Sequence, residues 1–422
     1  MNRQYRWWVV LLLWFVCFLN YADRQAISSV FPLLTRQFHF TDVQLGWLGS
    51  AFAWVYAAAA PLAGLAADRV TRRRLIILAC VGWSFFTLAT AWCGGLTTFV
   101  IVRALTGLGE TFYFPAAMAL LSDYHGPGTR SRALSWHQSA VYAGTILGGW
   151  VAALLAQRAD NWRPPFFLFG PLGLILALVL ARFLVEPARG AADGDVAAGA
   201  GPALPVGETL RLIARTPAAW LLMGAFVCAN FVAVAFLTWT PQFLVTKFHY
   251  SLGAAGLTGT VYIHLASALS VPLAGWLADR LCRRMAAGRM AVQAAGLIGG
   301  TAFVYLVGRA PGTVTLLLAM TCFGVCKGFY DSGIFAALYD TIEPRARGTA
   351  AGLMNAVGWF GGALGPVAVG FATQYGRHAG DEAANLGDAI AAGSLVYVVG
   401  AALVVVAALV FSRHGSFRGG SA

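Results

Sequence analysis

Charged residues are scarce in this 422-residue chain. Only 11% of its residues are Asp, Glu, Lys or Arg, against about 25% in a typical soluble domain. Hydrophobic residues make up 59% of the chain. A surface that faces water on all sides cannot be built from this mixture, so the composition excludes a soluble globular fold.

Several kinds of chemical motif are also missing. The chain has no phosphate-cradling Walker loop, no His-Glu-x-x-His zinc helix and no Gly-x-Ser-x-Gly elbow. Its seven cysteines lie mostly in apolar segments, without the paired spacing of a zinc site or of an extracellular disulfide framework. We therefore expect neither an enzyme nor an ATP-driven pump, and no metal or other cofactor.

Long apolar stretches fill the chain instead. A membrane-spanning helix needs about 20 predominantly apolar residues, and twelve such spans fit between short loops that hold most of the charge. The predicted spans are Trp7–Phe31, Leu45–Ala66, Leu75–Cys93, Thr98–Leu121, Ala133–Ala156, Phe166–Val185, Ala219–Val245, Ala254–Ala278, Met290–Val307, Val314–Leu338, Thr349–Thr373 and Ala389–Phe411. The sequence thus predicts an all-α protein that lies in a lipid bilayer.

The basic residues indicate how these spans are oriented. The formal net charge is +12, and most Lys and Arg residues fall in the loops on the same side as the N-terminus. This asymmetry follows the positive-inside rule, so we expect both termini in the cytoplasm and a location in the cytoplasmic membrane. Topology explains the excess charge, and a nucleic-acid partner is not expected.

An internal repeat divides the chain into halves. The segments 61–69 and 272–280, PLAGLAADR and PLAGWLADR, differ at only two positions, and Asp123 and Arg130 recur as Asp340 and Arg347 at a 217-residue offset. We predict two pseudo-symmetric six-helix bundles, residues 1–187 and 218–422, joined by a cytoplasmic linker, residues 188–217. Transporters built from such halves bind substrate near the bilayer midplane and alternate its access. We expect a monomer, because no long soluble appendage is present.

Six charged residues lie deep inside predicted spans, near the expected centre of the bilayer. A charge near the bilayer centre costs about 2.5 kcal/mol or more and is tolerated mainly in cavities and in pairs. The six residues are Asp23, Arg24, Arg103, Glu110, Lys327 and Asp331. Three acids and three bases would leave a shared cavity neutral, and one proton on an acid would make it positive. The sequence therefore suggests that a proton and a monoanion travel together.

The repeat places other polar residues in corresponding positions. The 217-residue offset aligns Glu110 with Lys327, and Gln138 with Asn355. The two amides are candidates for binding a polyol or a carboxylate, or for hydrogen bonds between helices. Lys327 and Asp331 are four residues apart, so a local ion pair on one helix is the alternative to a functional role.

A cluster of glycine, acidic and basic residues follows the second span: Gly64, Asp68, Arg69, Arg72 and Arg73, and part of the pattern recurs at Asp279 and Arg280. The cluster resembles the loop signature of the major facilitator superfamily, although Thr71 stands where that family usually has glycine. The resemblance implies a gating latch, in which the aspartate faces a helix N-terminus and nearby arginines. The alternative is a simple positive-inside anchor.

A narrower resemblance involves the first and fourth spans. Asn20-Tyr21-Ala22-Asp23-Arg24, together with Arg103, Gly107, Gly109, Glu110, Phe114 and Pro115, is similar to the anion:cation symporter and spinster-like branches of that superfamily. In the symporter branch, the resemblance implies that Arg24 meets an organic anion while Asp23 and Glu110 handle protons.

These observations lead to one expected function and two alternatives. We expect proton-coupled uptake of a small organic anion, such as a sugar acid. Substrate binding is assigned to Arg24, Arg103, Gln138, Lys327 and Asn355, and proton coupling to Asp23, Glu110 and Asp331. The alternatives are a spinster-like transporter of lipids or lysolipids and a membrane sensor that does not transport.

Overall fold

Helices form every regular element in the part of the chain that the computed structural model describes, residues 3–126, 128–188, 192, 206–342 and 347–415. They are α1 Arg3–Ser29, α2 Phe31–Phe38, α3 Asp42–Arg69, α4 Arg72–Thr90, α5 Leu96–Thr111, α6 Tyr113–Tyr124, α7 Arg130–Ala159, α8 Pro164–Phe183, α9 Val206–Ala214, α10 Pro217–Phe248, α11 Leu252–Cys282, α12 Gly288–Arg309, α13 Thr313–Asp331, α14 Ile334–Thr341, α15 Arg347–Gln374 and α16 Glu382–Gly415.

The twelve predicted spans correspond to these helices. Eleven stretches in the described part are long and apolar enough to cross a membrane. The fourth predicted span is not among them, because it is divided at Phe112 into α5 and α6. Pro115, in the first turn of α6, has no N–H and its ring clashes with the carbonyl group four residues earlier, which accounts for the break. The fold is that of twelve membrane helices, as predicted.

The tenth span has a similar interruption. Its first part, α13, ends at Asp331, and its second part, α14, begins at Ile334 after Gly333. Each broken span therefore carries its charged residues directly before the break, Glu110 in one case and Asp331 in the other. Most of the predicted linker, residues 188–217, lies outside the described residues, apart from α9 and the residues next to it.

The chain separates into two compact units. The first contains Met1–Gly201, Leu237–Val245 and His249–Thr260, and the second contains Pro202–Phe236, Thr246–Phe248 and Val261–Ala422. Each unit has its own packed helices, described separately below.

Small residues set the helix contacts around the charged residues of the first unit. A Cβ atom at Gly148 of α7 would lie 2.3 Å from the Cα atom of Ala22 in α1, and one at Gly107 of α5 would lie 2.5 Å from the carbonyl oxygen of Phe52 in α3. Only glycine permits such close backbone approach, which is typical of packing between membrane helices. These contacts pack α7 against α1 and α5 against α3.

Glycines serve the same purpose in the second unit. A Cβ atom at Gly296 of α12 would lie 2.6 Å from the carbonyl oxygen of Cys326 in α13. One at Gly308, near the end of α12, would lie 2.2 Å from the carbonyl oxygen of Gly387 in α16. The helix α12 is therefore closely packed against both α13 and α16.

Candidate functional site

Arg24 and Glu110 form a buried ion pair between α1 and α5. The Nε atom of Arg24 donates a hydrogen bond to Oε2 of Glu110 over 2.5 Å. The Glu110 side chain is fully buried, and that of Arg24 is 12% exposed. Removing one partner of such a pair costs about 3–5 kcal/mol, because the other charge stays buried alone. Each residue is therefore held in place by the other unless a different partner takes over.

Aromatic rings surround the Arg24 guanidinium group. Its central carbon lies 4.5 Å from the ring centre of Tyr21, 4.7 Å from that of Phe52 and 5.1 Å from that of Tyr56. The guanidinium of Arg103 lies 5.4 Å from the same Phe52 ring. Cation–π contacts stabilise a charge by about 0.5–2 kcal/mol, most strongly where water is excluded. Phe52 thus contacts both arginines of the cluster.

Asp23 and Arg103 complete this cluster. Asp23 is buried, and its Oδ2 accepts a hydrogen bond of 3.2 Å from the hydroxyl group of Thr87 in α4. Arg103 is also buried, and its Nη2 lies 3.5 Å from the carbonyl oxygen of Arg24. Within the described residues, Oδ1 of Asp23 and Nε of Arg103 have no hydrogen-bond partner. Buried polar atoms usually have a partner, although unpaired ones also occur elsewhere in the described part, as in the side chain of Gln293.

The four charges of the cluster balance. Asp23 and Glu110 contribute two negative charges when ionised, and Arg24 and Arg103 contribute two positive ones. A proton on either acid leaves one positive charge without a counter-charge, in surroundings where an uncompensated charge is costly. The arrangement is therefore suited to hold one proton together with one monoanion.

The other predicted binding and proton-coupling residues are Gln138 in the first unit and Lys327, Asp331 and Asn355 in the second. In the second unit, Lys327 donates to Oδ2 of Asp331 on the next turn of α13, with side chains 19% and 31% exposed. This is the local pair that their spacing suggested. Asn355 is half-buried in α15, and Gln138 is exposed on α7 in the first unit.

The gating signature is visible in part. The side chains of Asp68 and Arg69 lie outside the described part of the structure, and Gly64 has open space where a Cβ atom would be. Arg72 forms a buried ion pair with Asp123 at the end of α6. The N-terminus of α4 also receives a carboxylate, because the backbone N–H groups of Arg72 and Arg73 donate to Glu186 over 2.9 and 2.6 Å. An anion at this position complements the helix dipole.

The second unit repeats the ion pair of the first. Arg289 at the start of α12 pairs with Asp340 over 2.6 Å and with Asp279 over 3.2 Å. The pairs Arg72–Asp123 and Arg289–Asp340 are related by the 217-residue offset of the internal repeat. Asp279 therefore belongs to an ion-pair network, whereas Arg280 is exposed and lies over the ring of Trp276 at 5.6 Å.

A family model described as the Major Facilitator Superfamily matches residues 13–366 and 242–417. The chain belongs to the Major Facilitator Superfamily. Its relatives include a chloroplastic ascorbate transporter of Arabidopsis thaliana, 29% identical over 88% of this chain and 70% of the relative. A D-galactonate transporter of Escherichia coli is 26% identical over 87% of this chain and 89% of the relative.

A solved superfamily structure has the same fold. It is the crystal structure of a bacterial homolog of the human lysosomal transporter Spinster, in an inward-facing and unoccupied conformation. The superposition has a TM-score of 0.80 at 22% identity and covers 98% of this chain and 97% of the other. Because the chain belongs to the Major Facilitator Superfamily, it is a multi-pass membrane transporter and not an enzyme, as the sequence predicted.

Several residues of the site were not singled out from the sequence. Phe52, Tyr56 and Thr87 have no distinguishing pattern, because aromatic and hydroxyl residues are frequent in membrane helices. Glu186 follows the sixth span without any motif. Arg289, by contrast, was detectable, since the 217-residue offset that relates Asp123 to Asp340 also relates Arg72 to Arg289.

Proposed function

We propose that this superfamily member imports a small organic anion together with protons, and that Arg24 binds the anion. The observation that supports this most directly is the buried Arg24–Glu110 pair. A guanidinium held by a carboxylate in the same protein is already placed to hold the carboxylate of a substrate. Sugar acids and related carboxylates are the proposed substrate class, and the ascorbate and D-galactonate transporters among the relatives support that choice.

Proton binding to Glu110 is the proposed coupling step. A protonated Glu110 no longer neutralises Arg24, so the arginine is left buried with an uncompensated charge. An incoming carboxylate removes that penalty by taking the place of Glu110. Tyr21, Phe52 and Tyr56 keep the guanidinium in position during the exchange, because their rings contact it independently of Glu110.

The other polar residues are assigned supporting roles. Asp23, whose contact with Thr87 is a single hydrogen bond, is proposed as a second proton-binding group. Arg103, Gln138, Lys327 and Asn355 are proposed to bind further oxygens of the substrate. Asp331 is proposed to exchange its pairing with Lys327 as a proton binds.

The gating signature is proposed to control access without touching substrate. The Arg72–Asp123 pair and its counterpart Arg289–Asp340 occupy corresponding places in the two repeats and would form and break together during alternating access. Gly64, Asp68, Arg69, Asp279 and Arg280 are included in this gating group. The excess of basic residues in alternate loops supports a cytoplasmic location of this group and of both termini in a monomer of the cytoplasmic membrane.

Transport by purified protein in liposomes tests the proposal. Labelled D-galactonate and other sugar acids are offered with and without an inward proton gradient, using the wild type, Glu110→Gln and the control Asp160→Asn. Asp160 forms an exposed ion pair with Arg36, so the control makes the same chemical change outside the cluster. We expect the gradient to accelerate uptake by the wild type and the control only, while Glu110→Gln retains exchange of anion for anion.

Three results would contradict the proposal. Gradient-driven uptake that persists in Glu110→Gln would remove the proposed coupling group. Flux of a lysolipid with no flux of any anion would support the spinster-like alternative. Saturable anion binding with no flux at all would support a sensor.

A further inference from the structure

A cavity of about 510 Å³ lies in the second unit, and none of the residues assigned above lines it. It is formed where α12 ends at Arg309, where α15 ends at Gln374 and where α16 begins at Glu382. We propose that this cavity binds an acidic phospholipid of the surrounding bilayer, with the phosphate at the helix ends and an acyl chain along α12 and α16. This site is independent of the proposed transport function.

One carboxylate at this end of the unit is shared by several donors. Asp388 forms an ion pair with Arg309 over 3.1 Å, and it accepts hydrogen bonds from Arg377 over 3.0 Å and from His378 over 3.2 Å. Two guanidinium groups and one carboxylate leave a net positive charge, even with a neutral imidazole. Arg309 is 43% exposed and Arg377 is 72% exposed, so both reach the surface. Arginine is well suited to phosphate because its planar N–H groups match phosphate oxygens in pairs.

Three further charged residues lie near this end of the unit: Lys247 at the end of α10, Asp381 before α16 and Glu382 at the start of α16. The ammonium group of Lys247 donates to the carbonyl oxygen of Gly308 over 3.1 Å, and Asp381 accepts from the backbone N–H of Ala384 over 2.9 Å. None of the three lines the cavity, whereas the two arginines and the one carboxylate described above do. The lining itself therefore presents one excess positive charge to an anion.

The loop that carries Arg377 is fixed before any ligand binds. The side chain of Asn385 accepts from the backbone N–H of His378 over 3.0 Å and donates to the carbonyl oxygen of the same residue over 3.0 Å. A Cβ atom at Gly376 would lie 2.2 Å from Oδ1 of Asn385, so the loop packs directly on this amide. A pre-organised loop loses little conformational freedom when a ligand binds, so Arg377 can bind an anion at a low entropic cost.

The position along the membrane helices favours a lipid over a soluble anion. Arg309 is the last residue of one candidate span, and Asp388 lies in the second turn of another, which places the charges at the edge of the hydrocarbon region. Lipid phosphates lie at this depth. The cavity is also lined by Tyr305 and Leu395, which are 50% and 68% exposed on the sides of α12 and α16. Tyrosine is enriched at the membrane interface. An acyl chain would bury these apolar side chains, whereas a small soluble anion would not.

Thermal unfolding and native mass spectrometry of the purified full-length protein test the proposal. Phosphatidylglycerol, phosphatidylcholine and glycerol 1-phosphate are added separately to the wild type and to three variants. The variants are Arg309→Gln/Arg377→Gln, the charge-conserving Arg309→Lys/Arg377→Lys, and the control Arg36→Gln, which breaks an exposed ion pair in the first unit. For each variant, the change in melting temperature with phosphatidylglycerol is compared with the change with phosphatidylcholine. A general loss of stability affects both measurements equally and does not alter their difference.

We expect phosphatidylglycerol to stabilise the wild type and Arg36→Gln and to remain bound in the gas phase. The double glutamine variant should bind it at least about tenfold more weakly, a loss of about 1.4 kcal/mol or more, and the double lysine variant should regain part of the affinity. An unchanged preference for phosphatidylglycerol in the double glutamine variant would overturn the site. An equal response to glycerol 1-phosphate would show a site for free anions and would overturn the assignment to lipid.

Discussion

Gly148→Ala is expected to disturb the transport site without touching any charged residue. The new Cβ atom would lie 2.3 Å from the Cα atom and 2.4 Å from the Cβ atom of Ala22, the residue next to Asp23. Carbon atoms in contact are normally 3.5–4.0 Å apart, so α1 and α7 must separate by about 1 Å or more. Overpacking of this kind costs about 1–3 kcal/mol. At about 2–4 °C per kcal/mol, the melting temperature should fall by about 2–12 °C.

The matched control is Gly82→Ala in α4 of the same unit, because a Cβ atom there meets nothing within 4 Å. Alanine in a helix is favoured over glycine by up to about 1 kcal/mol, so this control should keep or raise the melting temperature. Thermal unfolding and anion uptake are measured on both variants. We expect Gly148→Ala to lose both stability and uptake, since α1 carries Asp23 and Arg24. A Gly148→Ala protein as stable and as active as Gly82→Ala would show that α1 and α7 do not need this close contact.

Three further predictions concern other contacts. Phe52→Leu removes the ring shared by two guanidinium groups, and the loss of about 0.5–2 kcal/mol should raise the KM for the anion about 2–30-fold. The control Phe52→Tyr keeps a ring and should have a KM near that of the wild type. Equal KM values for Phe52→Leu and the wild type would exclude a positioning role for Phe52. Asp123→Asn breaks a buried pair and should lower the free energy of unfolding by about 3–5 kcal/mol. Asp340→Asn breaks a more exposed pair and should lower it by about 1 kcal/mol or less. Unfolding measurements that reverse this order would contradict the difference in burial between the two pairs. Asp331→Asn should reduce anion uptake while leaving the melting temperature almost unchanged, because the side chain is 31% exposed. A lower melting temperature with normal uptake would indicate a purely structural pair with Lys327.

The fold could be predicted from the sequence because a bilayer imposes a single length scale. Each apolar stretch of about 20 residues must form a helix, since no other backbone arrangement satisfies its hydrogen bonds in lipid. The interruption of the fourth span at Phe112 was not predicted, although Pro115 provides its physical cause. The second interruption, near Gly333, could not be predicted in the same way, because a glycine inside an apolar stretch is compatible with a continuous membrane helix.

The charged members of the candidate site could also be predicted, because a charge inside an apolar span is costly and therefore conspicuous. Their partners could not. Nothing in the spacing shows that Glu110 pairs with Arg24, or that Phe52 lies against two arginines, since these contacts join helices that are distant in sequence. Glu186 binds the N-terminus of α4 from the far end of α8, a contact that depends entirely on how the helices pack.

Coupled movement of protons and anion can be measured in liposomes. Wild-type protein is reconstituted in liposomes that contain a pH-sensitive dye, with no pH gradient imposed, and D-galactonate or another sugar acid is added outside. We expect the lumen to become acidic as the anion enters, and we expect Glu110→Gln to abolish this change while Asp160→Asn preserves it. Entry of the anion with no change in luminal pH in the wild type would contradict the proposed role of the Arg24–Glu110 pair.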